Sequence, residues 1–152
     1  MIATTTPTRE DLTLALTEEI HVNASIETTF ESLLTQLGPG NETEEGKSLS
    51  MKIEAWPGGR WYRDLGGDNG HFWAHVQAIK RPTLLEFTGP LFMSFAVMSN
   101  LQYRLTPVEG GTIIAFKHTA FGFIPDDYRT HLMDGWRQMH RRVRELAESK
   151  KK

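Results

Sequence analysis

Apolar and polar positions alternate along most of this chain, and its elements are marked by the places where that period changes. Leu14, Leu16, Glu18, Ile20 and Val22 share one parity, four of the five being apolar, which predicts a strand over Leu14–Val22. Behind Ser25, a suitable helix N-cap, Ile26, Phe30, Leu33, Leu34 and Leu37 recur at helical spacing until Gly38-Pro39-Gly40 stops them. Asn41–Lys47 is polar, acidic and aperiodic, so it reads as a surface loop. From Leu49 onward a period of two returns. Met51, Ile53 and Ala55 alternate with Lys52 and Glu54, and Pro57-Gly58-Gly59 breaks the run. Arg60–Leu65, His71–Ile79, Leu84–Thr88, Ser99–Pro107 and Thr112–Phe121 then follow as strands. Gly66–Gly70 and Glu109-Gly110-Gly111 are turns, and strands joined so closely predict an antiparallel meander.

The last period is helical again. Tyr128, Leu132, Trp136, Met139, Val143 and Leu146 step by three or four between Pro125 and Glu148, giving a helix of about 20 residues with one apolar stripe. Only the sheet is long enough to cover that stripe, so the predicted fold is α+β, a curved antiparallel sheet wrapped around a long C-terminal helix. The expected organisation is a flexible N-terminus over 1–11, one domain over 12–148 and a basic tail over 149–152.

Composition refines this picture. A chain of 152 residues suits one domain large enough to enclose a cavity. With 39% hydrophobic and 24% charged residues, no membrane-length apolar run and no basic-then-apolar leader, a soluble, cytoplasmic protein is expected. The lack of cysteine excludes disulfides, thiol nucleophiles, iron–sulfur clusters and cysteine-ligated zinc. The net charge of −2 is unevenly spread, with seven bases against two acids in 137–152. Such a cluster can bind phosphates, but at a helix end it suits the macrodipole and solubility, so neither nucleic acid nor membrane is an expected partner.

Three stretches carry a family likeness. Trp56-Pro57-Gly58-Gly59-Arg60-Trp61-Tyr62 resembles a paired-glycine turn between strands. His75-Val76-Gln77-Ala78-Ile79-Lys80-Arg81-Pro82-Thr83-Leu84-Leu85-Glu86-Phe87 resembles a strand, Pro turn, strand segment. Gly135-Trp136, with Leu146 downstream, resembles the Gly-Trp that opens the core-facing part of a last helix. Together they resemble the START-like or SRPBCC superfamily, which has the helix-grip (Bet v-like) fold, in the branch of the chaperone (heat-shock protein) ATPase activator homologues and polyketide cyclase-like proteins. The likeness covers about Leu12 to Ala147. It departs at Gly38–Lys47, where family members commonly carry a second short helix, and nothing here resembles the activator's additional chaperone-binding domain.

The resemblance implies a cavity between sheet and final helix for a small, largely apolar molecule. Candidate lining comes from the strand parity that points charged neighbours outward. That parity turns Ile114, Phe116 and His118 inward, along with Leu101, Tyr103 and Leu105, then Phe72, Ala74 and Val76, and finally Leu85 and Phe87, opposite Leu132, Trp136 and Met139 on the helix. The candidate ligand-contacting set is Phe72, Val76, Phe87, Tyr103, Phe116, His118, Leu132, Trp136 and Met139. Residue types alone do not separate a hollow interior from a packed one. Pro90–Met98 is strongly apolar and fits a lid, a subunit contact in a homodimer, or two strand ends around a short bend. The last is preferred because its Met and Phe spacing continues the alternation.

Sharper chemistries find little support. His71 and His75, four apart on a strand, lie roughly 13 Å from one another, and His131 and His140 are as far apart along the helix, so neither pair can share a metal. No nucleophile elbow occurs, and Gly66–Gly70 lacks the Lys-Ser/Thr and helix of a phosphate loop. The expected function is therefore binding of a small hydrophobic or amphipathic molecule, with no cofactor, metal or catalytic constellation. Two alternatives remain: a cyclase or isomerase-like enzyme in which His118 or Tyr103 moves a proton on a bound carbonyl compound, and a chaperone-regulating module that binds a protein partner through its surface.

Overall fold

In the computed structural model, which describes residues 6–150, seven strands form one antiparallel sheet. The chain opens with one helical turn, α1 (Arg9–Leu12), capped by Thr8. It continues through β1 (Thr13–Val22), α2 (Ile26–Leu37), β2 (Met51–Ile53), β3 (Arg60–Gly66), β4 (Asn69–Lys80), β5 (Leu84–Gly89), β6 (Val97–Val108), β7 (Gly111–Gly122) and α3 (Asp126–Ser149). The sheet order is β1-β7-β6-β5-β4-β3-β2. All strands after β1 are joined in sequence to a neighbour, the expected meander, and β1 closes the sheet by pairing with the last strand, Thr13 opposite Phe121 through Val22 opposite Thr112. The expected flexible start falls partly on residues 1–5, and part of the basic tail on 151–152, outside the described residues.

Sequence patterns account for most of these elements. Ser25 Oγ accepts the Thr28 amide at 3.2 Å and so satisfies one of the free N–H groups at the start of α2. Between β2 and β3, Gly59 is required: a Cβ there would lie 1.8 Å from the Glu54 carbonyl oxygen. Glu54 and Arg60 brace this turn through two contacts of 2.8 Å, and the guanidinium draws the Glu54 carboxyl down to about 2. On β6 and β7 the expected parity holds without interruption, with Leu101, Tyr103 and Leu105 buried beside Ile114, Phe116 and His118.

The regular alternation fails in β4. Trp61 of β3 pairs with Ala74 and Tyr62 with Phe72, which leaves Trp73 as an extra residue, a β-bulge. Below the bulge the parity is inverted: Trp73 and Ala74 both face the core, while Phe72 is 37% exposed and packs on His75, its ring centroid 4.7 Å away. Gly89 of β5 makes room, since a Cβ there would meet the Trp73 carbonyl oxygen at 2.3 Å. The expected inward Phe72 is thus corrected to the outer face, and Trp73 takes the inward place.

Pro90–Ala96 forms the expected short bend, with its large apolar side chains packed into the core, and differs only in its backbone. Strand alternation does not continue between β5 and β6; the chain bends at Leu91, whose φ is 61°. Leu91 and Met93 are buried in the core, and Phe92 turns toward α3. No helix among the described residues is long and apolar enough to cross a membrane.

Candidate functional site

The long helix meets the sheet in two different ways along its length. Its C-terminal half buries Trp136, His140, Val143 and Ala147 against the concave face. Here Tyr103 and Phe116 fill the space, with Phe116 centroids 5.0 Å from Trp136 and 4.5 Å from His140. Two short polar chains run through this apolar packing. Trp136 Nε1–H donates to His118 Nδ1 at 3.1 Å, which leaves His118 Nε2–H to donate to Ser99 Oγ at 3.0 Å. In the second chain His140 Nδ1 is 2.5 Å from Glu18 Oε1 and its Nε2 is 2.9 Å from Tyr103 Oη. A neutral His140 donates to the carboxylate and accepts the phenol O–H.

Burial sets the electrostatics of both chains. It pushes His118 down to about 4, and it lowers His140 against the opposing pull of Glu18. Burial, reinforced by the Glu18 charge, raises Tyr103 well above the usual phenol range. Both imidazoles are thus neutral and fully hydrogen-bonded near pH 7, the condition under which buried polar groups are tolerated.

The N-terminal half of α3 faces a cavity of about 430 Å³. Its inner wall is Trp61, Trp73 and Phe92; the helix supplies Tyr128, Leu132, Gly135, Trp136 and Met139. Asn41 is a buried polar residue of the lining, and Asp127 and His131, one helical turn apart, are exposed. The aromatic wall is fixed by mutual packing: Trp73 meets Trp61 edge-on at 5.0 Å and Phe92 at 5.6 Å, and Phe92 stacks on Tyr128 at 6.3 Å. Trp61 is oriented further by its Nε1–H, which donates to the Leu37 carbonyl at 2.9 Å, and Asn41 Nδ2 donates to the same carbonyl at 3.2 Å. The loop bearing Asn41 is tied to α3 by Arg142, which donates to the Glu42 and Thr43 carbonyls. No short helix stands at this loop among the described residues. The wall is almost wholly apolar, the composition of a small-molecule site, and the volume lies within the usual range for one.

Of the nine expected contact residues, Leu132, Trp136 and Met139 line this cavity. Val76 and Phe87 are buried in the sheet-side core, Phe87 against Trp61 with centroids 4.6 Å apart. Tyr103, Phe116 and His118 belong to the packed half, and Phe72 to the outer face. The acid–base chemistry imagined for His118 or Tyr103 therefore loses its substrate contact, because both groups are engaged within the core and neither borders the cavity. Trp61, Trp73, Phe92, Tyr128 and Asn41 were not among the expected contacts. Trp61 and Tyr128 had readable inward positions, whereas Trp73 and Phe92 depend on a bulge and a bend.

Residues 23–148 match the family described as Activator of Hsp90 ATPase homolog 1-like protein. No curated protein is significantly similar in sequence. Among solved structures, an uncharacterized protein from Rhizobium leguminosarum is similar with a TM-score of 0.71 at 17% identity, over 91% of this chain and 96% of that one. The di-domain ARO/CYC StfQ from the steffimycin biosynthetic pathway is similar at 0.63 and 13%, over 93% of this chain and 51% of its own. Ara h 8.0201 is similar at 0.64 and 15%, over 90% and 99%. At these identities the likeness is one of fold, the START-like helix grip.

Proposed function

The chain belongs to the Activator of Hsp90 ATPase homolog 1-like protein family, and from that premise we propose that it binds a small hydrophobic or amphipathic molecule between the sheet and the N-terminal half of α3. One observation carries this reading: the space between sheet and helix is filled at one end by interlocked side chains and left as an aromatic-walled cavity of about 430 Å³ at the other. Protein interiors pack closely, and a void of this size lined by Trp, Phe, Leu and Met forfeits dispersion contacts that a guest would restore. The likeness in fold to StfQ, described as part of a biosynthetic pathway, is in keeping with a cavity for a small organic molecule.

The test uses an apolar fluorescent probe, 1-aminoanthracene, titrated into the protein. Saturable binding and a rise in melting temperature with probe concentration are expected. Gly135→Phe should weaken that binding by tenfold or more, since a Cβ at Gly135 meets nothing within 4 Å and a ring there can enter the cavity mouth. Undiminished binding in a folded Gly135→Phe protein would count against this site. A protein partner captured equally by both forms would favour a surface-binding module instead.

A further inference from the structure

One buried polar side chain of the cavity lining is only half satisfied. Asn41 is 1% exposed, and its backbone is held on both sides: its amide donates to the Gly38 carbonyl at 3.0 Å, and its carbonyl accepts the Leu49 amide at 2.9 Å. Its side-chain Nδ2 donates to the Leu37 carbonyl at 3.2 Å, which fixes the sense of the carboxamide, because the opposite sense would set oxygen against oxygen. Oδ1 is thereby turned away from Leu37, and it has no partner among the described residues. It is not sealed inside the protein as the unpartnered Thr29 Oγ1 and Trp73 Nε1 are; this oxygen keeps an accessible face. With the rest of the residue enclosed, the opening that reaches it is the cavity it lines. Capping of α2 explains the nitrogen and not the oxygen, and the Leu37 carbonyl already has a second donor in Trp61 Nε1. A carbonyl oxygen on so buried a side chain is normally paired, so what it lacks is a partner from outside the chain.

We propose that Asn41 Oδ1 is the recognition acceptor of the cavity, and that the ligand is an apolar molecule carrying a neutral hydroxyl or N–H that donates to this oxygen. This inference rests on the cavity being a binding site. A donor is required because a carboxamide oxygen can only accept. Neutrality follows from the lining: its ionisable members, Asp127 and His131, are exposed, whereas its buried members, Asn41 with Trp61, Trp73, Leu132 and Trp136, hold no charge that could pair with a desolvated ion. The acceptor is also set in place before any guest arrives. Its backbone and its Nδ2 are bonded, and Arg142 holds the next two carbonyls, those of Glu42 and Thr43, so little ordering is left for binding to impose. Affinity then comes from the rings of the wall and specificity from one oxygen, the usual division of labour in such sites.

2-Naphthol and 2-methoxynaphthalene share one aromatic frame and one oxygen, and only the first can donate, which makes them the matched probes. Full-length protein should bind 2-naphthol about tenfold more tightly than 2-methoxynaphthalene, the worth of one good neutral hydrogen bond. Asn41→Leu should leave the affinity for 2-methoxynaphthalene within about twofold and remove the preference. Independently of that variant, the side-chain carbonyl carbon resonance of Asn41 should move downfield with 2-naphthol and not with 2-methoxynaphthalene; this decides the matter if Asn41→Leu does not fold. Equal affinities in the natural protein, a preference that survives in folded Asn41→Leu, or an unmoved carbonyl resonance would each overturn the role of Asn41. So would failure of 2-naphthol to bind a protein that takes up 1-aminoanthracene. Failure of all three compounds to bind would instead remove the cavity reading itself.

Discussion

The two halves of α3 are covered by the same sheet yet solve different problems. Around His140 and Val143 the helix rests on tightly packed side chains, and every imidazole nitrogen there has a partner. Around Leu132 and Gly135 it stands away from the sheet, and aromatic rings face an open volume rather than one another's edges alone. One half holds the grip; the other leaves it loose. Stability should therefore reside in the first and recognition in the second, with Trp136 belonging to both because its ring borders the cavity while its N–H is bonded in the core.

Substitution at Phe116 tests that division most severely. Phe116→Ala removes a ring in contact with Tyr103, Trp136 and His140 and should lower unfolding free energy by about 3–5 kcal/mol in urea. Phe92→Ala, made in the cavity wall, should cost clearly less; equal losses would erase the contrast. Next in size is an acid response. The unfolded chain binds a proton at His118 with a pKa near 6.5, whereas the folded protein does so only near 4, so stability is present above about 6.5 and falls as pH drops toward 4. Between pH 7 and pH 5 this one group should cost about 2 kcal/mol, with His140 acting in the same direction. A His118→Gln protein should show a correspondingly shallower dependence in denaturant titrations at the two pH values; an unchanged slope would show that the buried ring is not its source. The smallest effect belongs to the loose half. Gly135 lies in mid-helix with open space beside it, so Gly135→Ala should raise stability by about 0.5–1 kcal/mol, read as a small increase in melting temperature.

The same contrast explains what could be read from the chain. Strands β6 and β7 and helix α3 keep one period throughout, so the inward placing of Tyr103, Phe116, His118, Leu132, Trp136 and Met139 follows from alternation and helical stepping alone. Tyr103, Phe116 and His118 lie in the packed half, and Leu132, Trp136 and Met139 are the helix side of the cavity. The facing wall depends in part on interruptions instead. At Trp73 one extra residue reverses the parity of β4, and at Phe92 the positive φ of Leu91 redirects a segment whose alternation suggested strand. Asn41 sat in a stretch too polar to suggest burial, yet it is 1% exposed because its amide reaches the Leu37 carbonyl at the end of α2. Period arguments see regular backbone, and they miss the part of this site that Trp73, Phe92 and Asn41 supply from irregular backbone.

The bulge in β4 has a consequence for how such a protein can change over time. Because one residue decides whether Trp73 or Phe72 looks inward, the loss or gain of a single codon there would exchange the aromatic in the cavity wall for one now on the outer face. Relatives could thereby acquire new chemical preferences in one genetic step, with the scaffold that grips the helix left as it was.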